Sequence, residues 1–119
     1  MLSLPYTVVS DAVCVRLTGE LDHHTIGPLR ADIDACIRRT GARCLVLDAT
    51  DVPFMDSSVI GLILGRLELV RSRGGEVRVV GLSARNHRLL TLSGLSRTAG
   101  LYLSQARADV PSAKERSTR

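Results

Sequence analysis

A short, unbroken apolar run, Cys44-Leu45-Val46-Leu47, limits the folds that are open to this chain. A strand that is covered on both faces of a sheet has this pattern, whereas a strand with one solvated face alternates apolar and polar residues. Segments whose apolar residues recur at helical spacing precede and follow the run. Helical crossovers of this kind join parallel strands. The run therefore predicts an α/β protein built on a mixed, mostly parallel sheet.

The other segments predict the element order ββαβαβαβ. The predicted elements are, in chain order, a hairpin over residues 7–18 with its turn at Ser10-Asp11, a helix with Pro28 in its first turn that ends at Gly41, a strand at 44–47, a helix from about Ser57 to about Arg73, a strand at 77–80, a short helix capped by Ser83 and ended by Gly94, and an edge strand at 101–103. On the second helix, Gly61 and Gly65 lie four residues apart, which predicts a side that approaches the sheet closely, while Arg66 is expected in solvent.

Length and composition indicate one globular domain. The chain has 119 residues, of which 45% are apolar and 24% charged. We place the domain at residues 1–108 and expect the polar segment 109–119 to be a disordered tail. The longest apolar run, residues 59–64, is too short to cross a bilayer, and the N-terminus lacks the basic and apolar segments of a secretion signal. We therefore expect a cytoplasmic protein with no membrane partner.

The charge distribution and the aromatic content indicate whether the chain binds nucleic acid, and the cysteine spacing indicates whether the cysteines are reduced. Residues 61–119 hold eleven basic and four acidic side chains, but the arginines are dispersed and no recognition motif accompanies them. Aromatic residues make up only 3% of the chain, which leaves no stacking surface for a single strand, so we expect no direct contact with nucleic acid. Cys14, Cys36 and Cys44 have unrelated spacings, and we interpret them as reduced core residues.

Two polar loops stand at the positions where open α/β sheets meet ligands or partners, beyond the carboxyl ends of strands. They span residues 19–25 and 48–58 and hold five of the twelve carboxylates, namely Glu20, Asp22, Asp48, Asp51 and Asp56. The plain alternative is that these residues make turns and caps. Asp56-Ser57-Ser58 opens the second helix, where an Asp or Ser caps a free backbone N–H and where a phosphate is also favoured.

Motifs for catalysis and for metal binding are missing. The sequence has no G-x-S-x-G elbow, no phosphate-binding P-loop and no G-x-G-x-x-G. No motif therefore supports a catalytic triad of Ser57 and Asp22 with His23 or His24. We expect that the protein is not an enzyme and that it has no catalytic residue and no cofactor. We expect the adjacent His23 and His24 to point in opposite directions from an extended loop, without a third ligand at zinc spacing, so we predict no metal site.

Three stretches of the sequence carry a resemblance to a known family. They read G-E-L-D-H-H-T at residues 19–25, F-M-D-S-S at 54–58 with the helix that continues to Arg66, and the later pair of segments at 74–77 and 92–95. In these stretches the chain resembles a STAS domain, specifically a bacterial anti-sigma factor antagonist of the sporulation type. The similarity spans about residues 5–105. It implies a single STAS domain with a β-hairpin start and helical crossovers.

The resemblance implies a partner-switching cycle. An unphosphorylated antagonist of this type binds an anti-sigma factor and releases a sigma factor. The anti-sigma factor is also a Ser kinase that uses ATP and magnesium, and a separate Ser phosphatase resets the cycle. Ser57, directly after Asp56, stands at the phosphorylated position. The residues expected to bind the partner are Glu20, Asp22, His23, Thr25, Asp56, Ser58 and Val59.

One position departs from the family's pattern, because Val59 stands where Gly is common. A β-branched residue makes the loop stiffer and bulkier, so a divergent kinase as the partner is one alternative, and a constitutive binder that no kinase modifies is a second. A small-ligand or nucleotide-binding STAS module is another. We further expect both loops to leave one sheet edge, the Ser57 hydroxyl to point outward, and Asp22→Lys to weaken the partner complex with little change in thermal midpoint.

Overall fold

The computed structural model describes residues 4–107 and confirms the predicted order of elements. The elements are β1 (Tyr6–Val9), β2 (Ala12–Thr18), α1 (Ile26–Thr40), β3 (Cys44–Asp51), α2 (Ser58–Arg71), β4 (Val77–Val80), α3 (Ala84–Leu92), a short 3₁₀ helix (Leu95–Arg97) and β5 (Leu101–Leu103). The 3₁₀ helix is the one addition to the predicted order within these residues. The predicted tail, residues 109–119, lies outside the described residues. In the described part, no helix has the length and apolarity needed to cross a membrane.

The strands lie side by side in chain order. Over residues 4–107 the sheet has the order β1-β2-β3-β4-β5, with β1 antiparallel to β2 and the other neighbours parallel. Because crossovers between parallel strands are right-handed, a sheet that grows in one direction carries its crossover helices on one face. The core lies between that face and the helices, and its strand residues are Val13, Val15, Leu17, Leu45, Leu47, Ala49, Val77, Val79 and Leu101.

The prediction that residues 44–47 are covered on both faces is wrong. Leu45 and Leu47 are buried under the helices, whereas Cys44 and Val46 point to the opposite face and are only half-buried. The strand therefore alternates in burial although its apolar sequence does not. All three cysteines are free. Only Cys36 is fully buried in the core, while Cys14 and Cys44 are half-buried.

Strand β3 is longer than the sequence predicted, because the loop begins after Asp51 rather than at Asp48. Asp48 lies opposite Arg16 and Asp51 lies opposite Thr18, so the register shifts between those two pairs. The Asp48 carboxylate accepts hydrogen bonds from the backbone N–H and the hydroxyl of Thr50, at 3.0 and 2.6 Å. This local bonding satisfies polar side chains on the face away from the helices, so the strand continues through them.

Helix α2 packs differently from the prediction. A Cβ atom added to Gly61 or Gly65 would meet no atom of the described residues within 4 Å, so this side faces open space rather than the sheet. Arg66, expected in solvent, is buried at 8% exposure, and its Nε lies 2.8 Å from Oδ1 of Asp34 on α1. This ion pair links α1 and α2.

Candidate functional site

The two polar loops are joined by backbone hydrogen bonds. The N–H of Leu21 donates to the carbonyl of Phe54 at 2.9 Å, and the N–H of Asp56 donates to the carbonyl of Leu21 at 3.0 Å. These bonds form a parallel bridge between Leu21 and Met55, which continues the pairing of β2 with β3. The prediction that both loops leave one sheet edge is confirmed. We call residues 19–25 and 52–57 the paired loops.

The first of the paired loops is a closed turn that leads into α1. The Oδ1 atom of Asp22 accepts from the backbone N–H groups of His24 and Thr25, at 2.9 and 3.1 Å. In return, the hydroxyl oxygen of Thr25 accepts from the N–H of Asp22 at 3.0 Å. This reciprocal bonding resembles a capping box, and the spacing Asp-x-x-Thr in the sequence was the signal for it. Because Asp22 holds this turn together, the expectation that Asp22→Lys leaves the thermal midpoint nearly unchanged does not fit the structure.

The rings of the two histidines lie against each other, with their planes tilted by 39°. Their ring centroids are 4.0 Å apart, so the prediction that they point in opposite directions is wrong, because the segment is a turn and not an extended loop. Nδ1 of the exposed His23 lies 3.7 Å from Oδ2 of Asp56, which is a second link between the paired loops. Over residues 4–107, no group of three or more His, Cys, Asp or Glu side chains is arranged to hold a metal ion.

The start of α2 is capped by Asp56. Its Oδ1 atom accepts from the backbone N–H of Ser58 at 2.8 Å and also from the Ser58 hydroxyl. The Ser58 hydroxyl, with the Ser58 N–H as the second cause, lowers the pKa of the Asp56 carboxyl from its ordinary value of 3.8. Ser58 is half-buried, and its two hydrogen bonds to Asp56 fix its position. Ser57 is exposed, and within the described residues its side chain makes no capping hydrogen bond.

Val59 does not lie on the surface, and the prediction that it contacts a partner is wrong. Its side chain is only 2% exposed and belongs to the core beneath α2. The residue is the second of the helix, and its direction is set by the helical turn that Asp56 caps. The β-branched bulk therefore fills the interior and adds nothing to the exposed face of the loop.

Two side chains of helix α3 contact residues 52–57, the second of the paired loops, and support them. The guanidinium of Arg85 donates to the carbonyl of Met55 at 3.1 Å and lies 4.4 Å from the centroid of the Phe54 ring. The buried amide of Asn86 donates to the carbonyl of Val52 at 3.2 Å. Sequence reasoning missed both residues, because an Arg-Asn pair in a helix thirty residues downstream carries no local signal for contact with a loop.

Known proteins resemble this chain over most of its length. A family model described as the STAS domain matches residues 3–108. An anti-sigma F factor antagonist from Paenibacillus polymyxa is 43% identical over 94 residues, which cover 79% of this chain and 80% of that protein.

Two solved structures that resemble this chain are of SpoIIAA, one in its unphosphorylated and one in its phosphorylated form. The anti-sigma factor antagonist SpoIIAA in its unphosphorylated form is 28% identical, with a TM-score of 0.70 over 85% of this chain and 87% of that one. The phosphorylated form of the Bacillus cell fate determinant SpoIIAA is also 28% identical, with a TM-score of 0.62 over 85% and 90% of the two chains.

Proposed function

This chain belongs to the STAS domain family, and we propose that it is an anti-sigma factor antagonist that binds an anti-sigma factor through the paired loops and so releases a sigma factor. The relatives it matches are named as antagonists, which supports a regulatory role rather than an enzymatic one. The observation that supports the proposal is the backbone bridge at Leu21, which sets both loops and the exposed Ser57 on one edge of the sheet.

The contact surface is set in place before any partner arrives. The backbone bridge, the Asp22 turn and the support from α3 hold the paired loops, so little conformational entropy remains to be lost on binding. The exposed or half-buried residues that we assign to the surface are Glu20, Asp22, His23, Thr25, Asp56, Ser57 and Ser58.

We propose that phosphorylation of Ser57 by the anti-sigma factor, acting as a Ser kinase with Mg·ATP, ends the complex. The phosphate adds about −1.5 to −2 charges beside the ionised Asp56, on a surface that is already acidic. The fold tolerates this charge, because the positive end of the α2 dipole offsets roughly 0.3–1 kcal/mol of its cost. The cost therefore falls on the partner interface, where the bulky phosphate and Asp56 together would have to lose water and disturb the packing, and a Ser phosphatase restores binding.

Substitutions at Ser57 test the proposal. Ser57→Asp is expected to stay folded and to bind the anti-sigma F factor of Paenibacillus polymyxa at least about tenfold more weakly, since an uncompensated charge that loses its water in an interface costs more than about 1.4 kcal/mol. Ser57→Ala is expected to bind like the unmodified chain and to persist in the complex after Mg·ATP is added. Titration calorimetry measures the affinity, and circular dichroism reports the fold.

A charge placed elsewhere is the control. Ser96 is exposed in the 3₁₀ helix before β5, at the amino end of the parallel strands and away from the paired loops. Ser96→Asp should bind as the unmodified chain does. If Ser57→Asp and Ser96→Asp bind equally well, the paired loops are not the contact surface.

The alternative of a small-ligand or nucleotide-binding module has one supporting observation. A shallow cavity of about 350 Å³ lies along the second half of α2, lined by Leu64, Leu67, Glu68, Arg71 and Thr98. It combines one acidic with one basic side chain, and the sequence has no glycine-rich phosphate loop. Calorimetric titration with ATP or GTP alone separates the two functions, because the antagonist predicts no tight nucleotide complex.

A further inference from the structure

The two adjacent serines at the start of α2 are chemically unequal. Ser57 is exposed, while Ser58 is half-buried with both its N–H and its hydroxyl directed to Oδ1 of Asp56. A hydroxyl that donates to a carboxylate makes a charge-assisted bond, about twice as strong as a neutral one. One carboxylate oxygen thus holds Ser58 at two points.

Phosphoryl transfer to a serine requires its hydroxyl to approach the nucleotide. The serine Oγ forms a bond to the γ-phosphorus of ATP, the bond from that phosphorus to the β,γ-bridging oxygen breaks, ADP leaves, and the hydroxyl proton passes to a base of the kinase. For Ser58, the hydroxyl must first break its bond to Asp56, and the anionic γ-phosphate must come close to the Asp56 carboxylate. The lowered pKa makes Asp56 a weak base, so it holds this proton without removing it.

We propose that Asp56 is the positioning residue that decides which serine is phosphorylated, by sequestering Ser58 and leaving Ser57 as the acceptor. This inference rests on the proposed function, and it assigns to Asp56 a role beyond capping α2. It also explains how a kinase distinguishes two hydroxyls that are neighbours in the sequence. The site of modification is determined in the substrate, before the kinase binds.

The test compares variants that expose or remove each hydroxyl. The substrates are the full chain with Ser57→Ala, with Asp56→Ala, and with both changes, each incubated with the anti-sigma F factor of Paenibacillus polymyxa and Mg·ATP. Mass-spectrometric mapping gives the phosphate on each serine over time. Circular dichroism is the folding control. Asp56→Asn with Ser57→Ala is a further variant, because the amide keeps an acceptor oxygen for Ser58 and preserves the cap.

We expect the unmodified chain to carry phosphate on Ser57 alone and the Ser57→Ala chain to be phosphorylated on Ser58 only slowly. The double variant with Asp56→Ala should be phosphorylated on Ser58 at least about tenfold faster than Ser57→Ala alone, because no charge-assisted bond has to be broken. The double variant with Asp56→Asn should lie between these two. A change that merely loosened the helix would not move phosphate from one serine to the other.

Other outcomes reject the idea separately from the proposed function. Rapid phosphorylation of Ser58 in the Ser57→Ala chain would show that Asp56 does not sequester it. An Asp56→Ala chain that is folded but unmodified on either serine would make Asp56 a recognition residue, which also overturns the proposal. If the unmodified chain itself takes up no phosphate, the kinase step of the proposed function fails and this inference fails with it.

Discussion

At the scale of single residues, two carboxylates in the paired loops have structural roles, in addition to the recognition role that we propose for them. Asp22 closes the turn before α1, and Asp56 caps α2. Glu20, by contrast, is exposed, and its side chain stands outside these turns. The sequence showed a cluster of acidic residues but did not separate these roles, because capping depends on which N–H groups each oxygen reaches.

Removing the Asp22 carboxylate should lower stability. Asp22→Ala leaves the N–H groups of His24 and Thr25 without their acceptor and is expected to lower the free energy of unfolding by about 1 kcal/mol, the usual value of a helix cap. Urea denaturation followed by circular dichroism measures this. Glu20→Ala is the matched control, and its midpoint should stay within error. Equal midpoints for the two variants would mean that the Asp22 turn adds no stability.

The pKa of Asp56 should report on its bond to Ser58. Because Ser58 is the main cause of the lowered pKa, Ser58→Ala is expected to return the Asp56 carboxyl toward 3.8. A lowered folded pKa contributes stability above the unfolded value, and this contribution is lost as the pH falls through the folded pKa. The Asp56 contribution is thus present above pH 3.8 and is lost as the pH falls below that value. Carbon-detected NMR titration of the carboxyl in both chains checks the shift, and equal pKa values would contradict the assigned cause.

At the scale of elements, α2 presents an interior face and an open one. Leu62, Ile63 and Leu67 pack into the core, while Gly61 and Gly65 border solvent. Glycine within a helix is costly, because the unfolded chain loses more freedom there than at alanine. Glycine spacing alone does not tell whether a helix side lies against a sheet or faces outward.

Gly61→Ala should therefore stabilise the protein. A Cβ at this position meets open space, and the expected gain in the free energy of unfolding is about 0.4–1 kcal/mol. Gly81→Ala is the opposite case, since Gly81 has a φ of +71° and its Cβ would overlap Thr50. Thermal unfolding should raise the midpoint of the first variant and lower that of the second. A lower midpoint for Gly61→Ala would place this side of α2 against another part of the protein.

At the scale of the whole molecule, distant parts of the chain support the paired loops. The loops arise from β2 and β3, but the contacts behind them come from Arg85 and Asn86 on α3. Strand order brings these elements together, because β4 places α3 beside the carboxyl edge of β3. The candidate surface is thus a product of the sheet and not of one loop.

Loosening this support should weaken partner binding. Arg85→Ala removes the contact with Phe54 and the hydrogen bond to Met55, together worth about 1 kcal/mol at an exposed site, and should weaken anti-sigma factor binding by about fivefold. Arg88→Ala on the same helix is the control, because Arg88 is exposed. Titration calorimetry compares the two. Equal affinities would show that the position of the loop does not depend on α3.

The sequence by itself determined the order of strands and helices and the edge where the paired loops meet. Hydrophobic period is a local property, and parallel strands bring their carboxyl ends together whatever the side chains are. Only the tertiary structure decided that Val59 and Arg66 are buried, that Gly61 faces solvent and that one face of β3 is only half-buried. The physical reason is that burial and hydrogen bonding depend on neighbours from distant parts of the chain, and one-way strand order places the helices on a single face of the sheet.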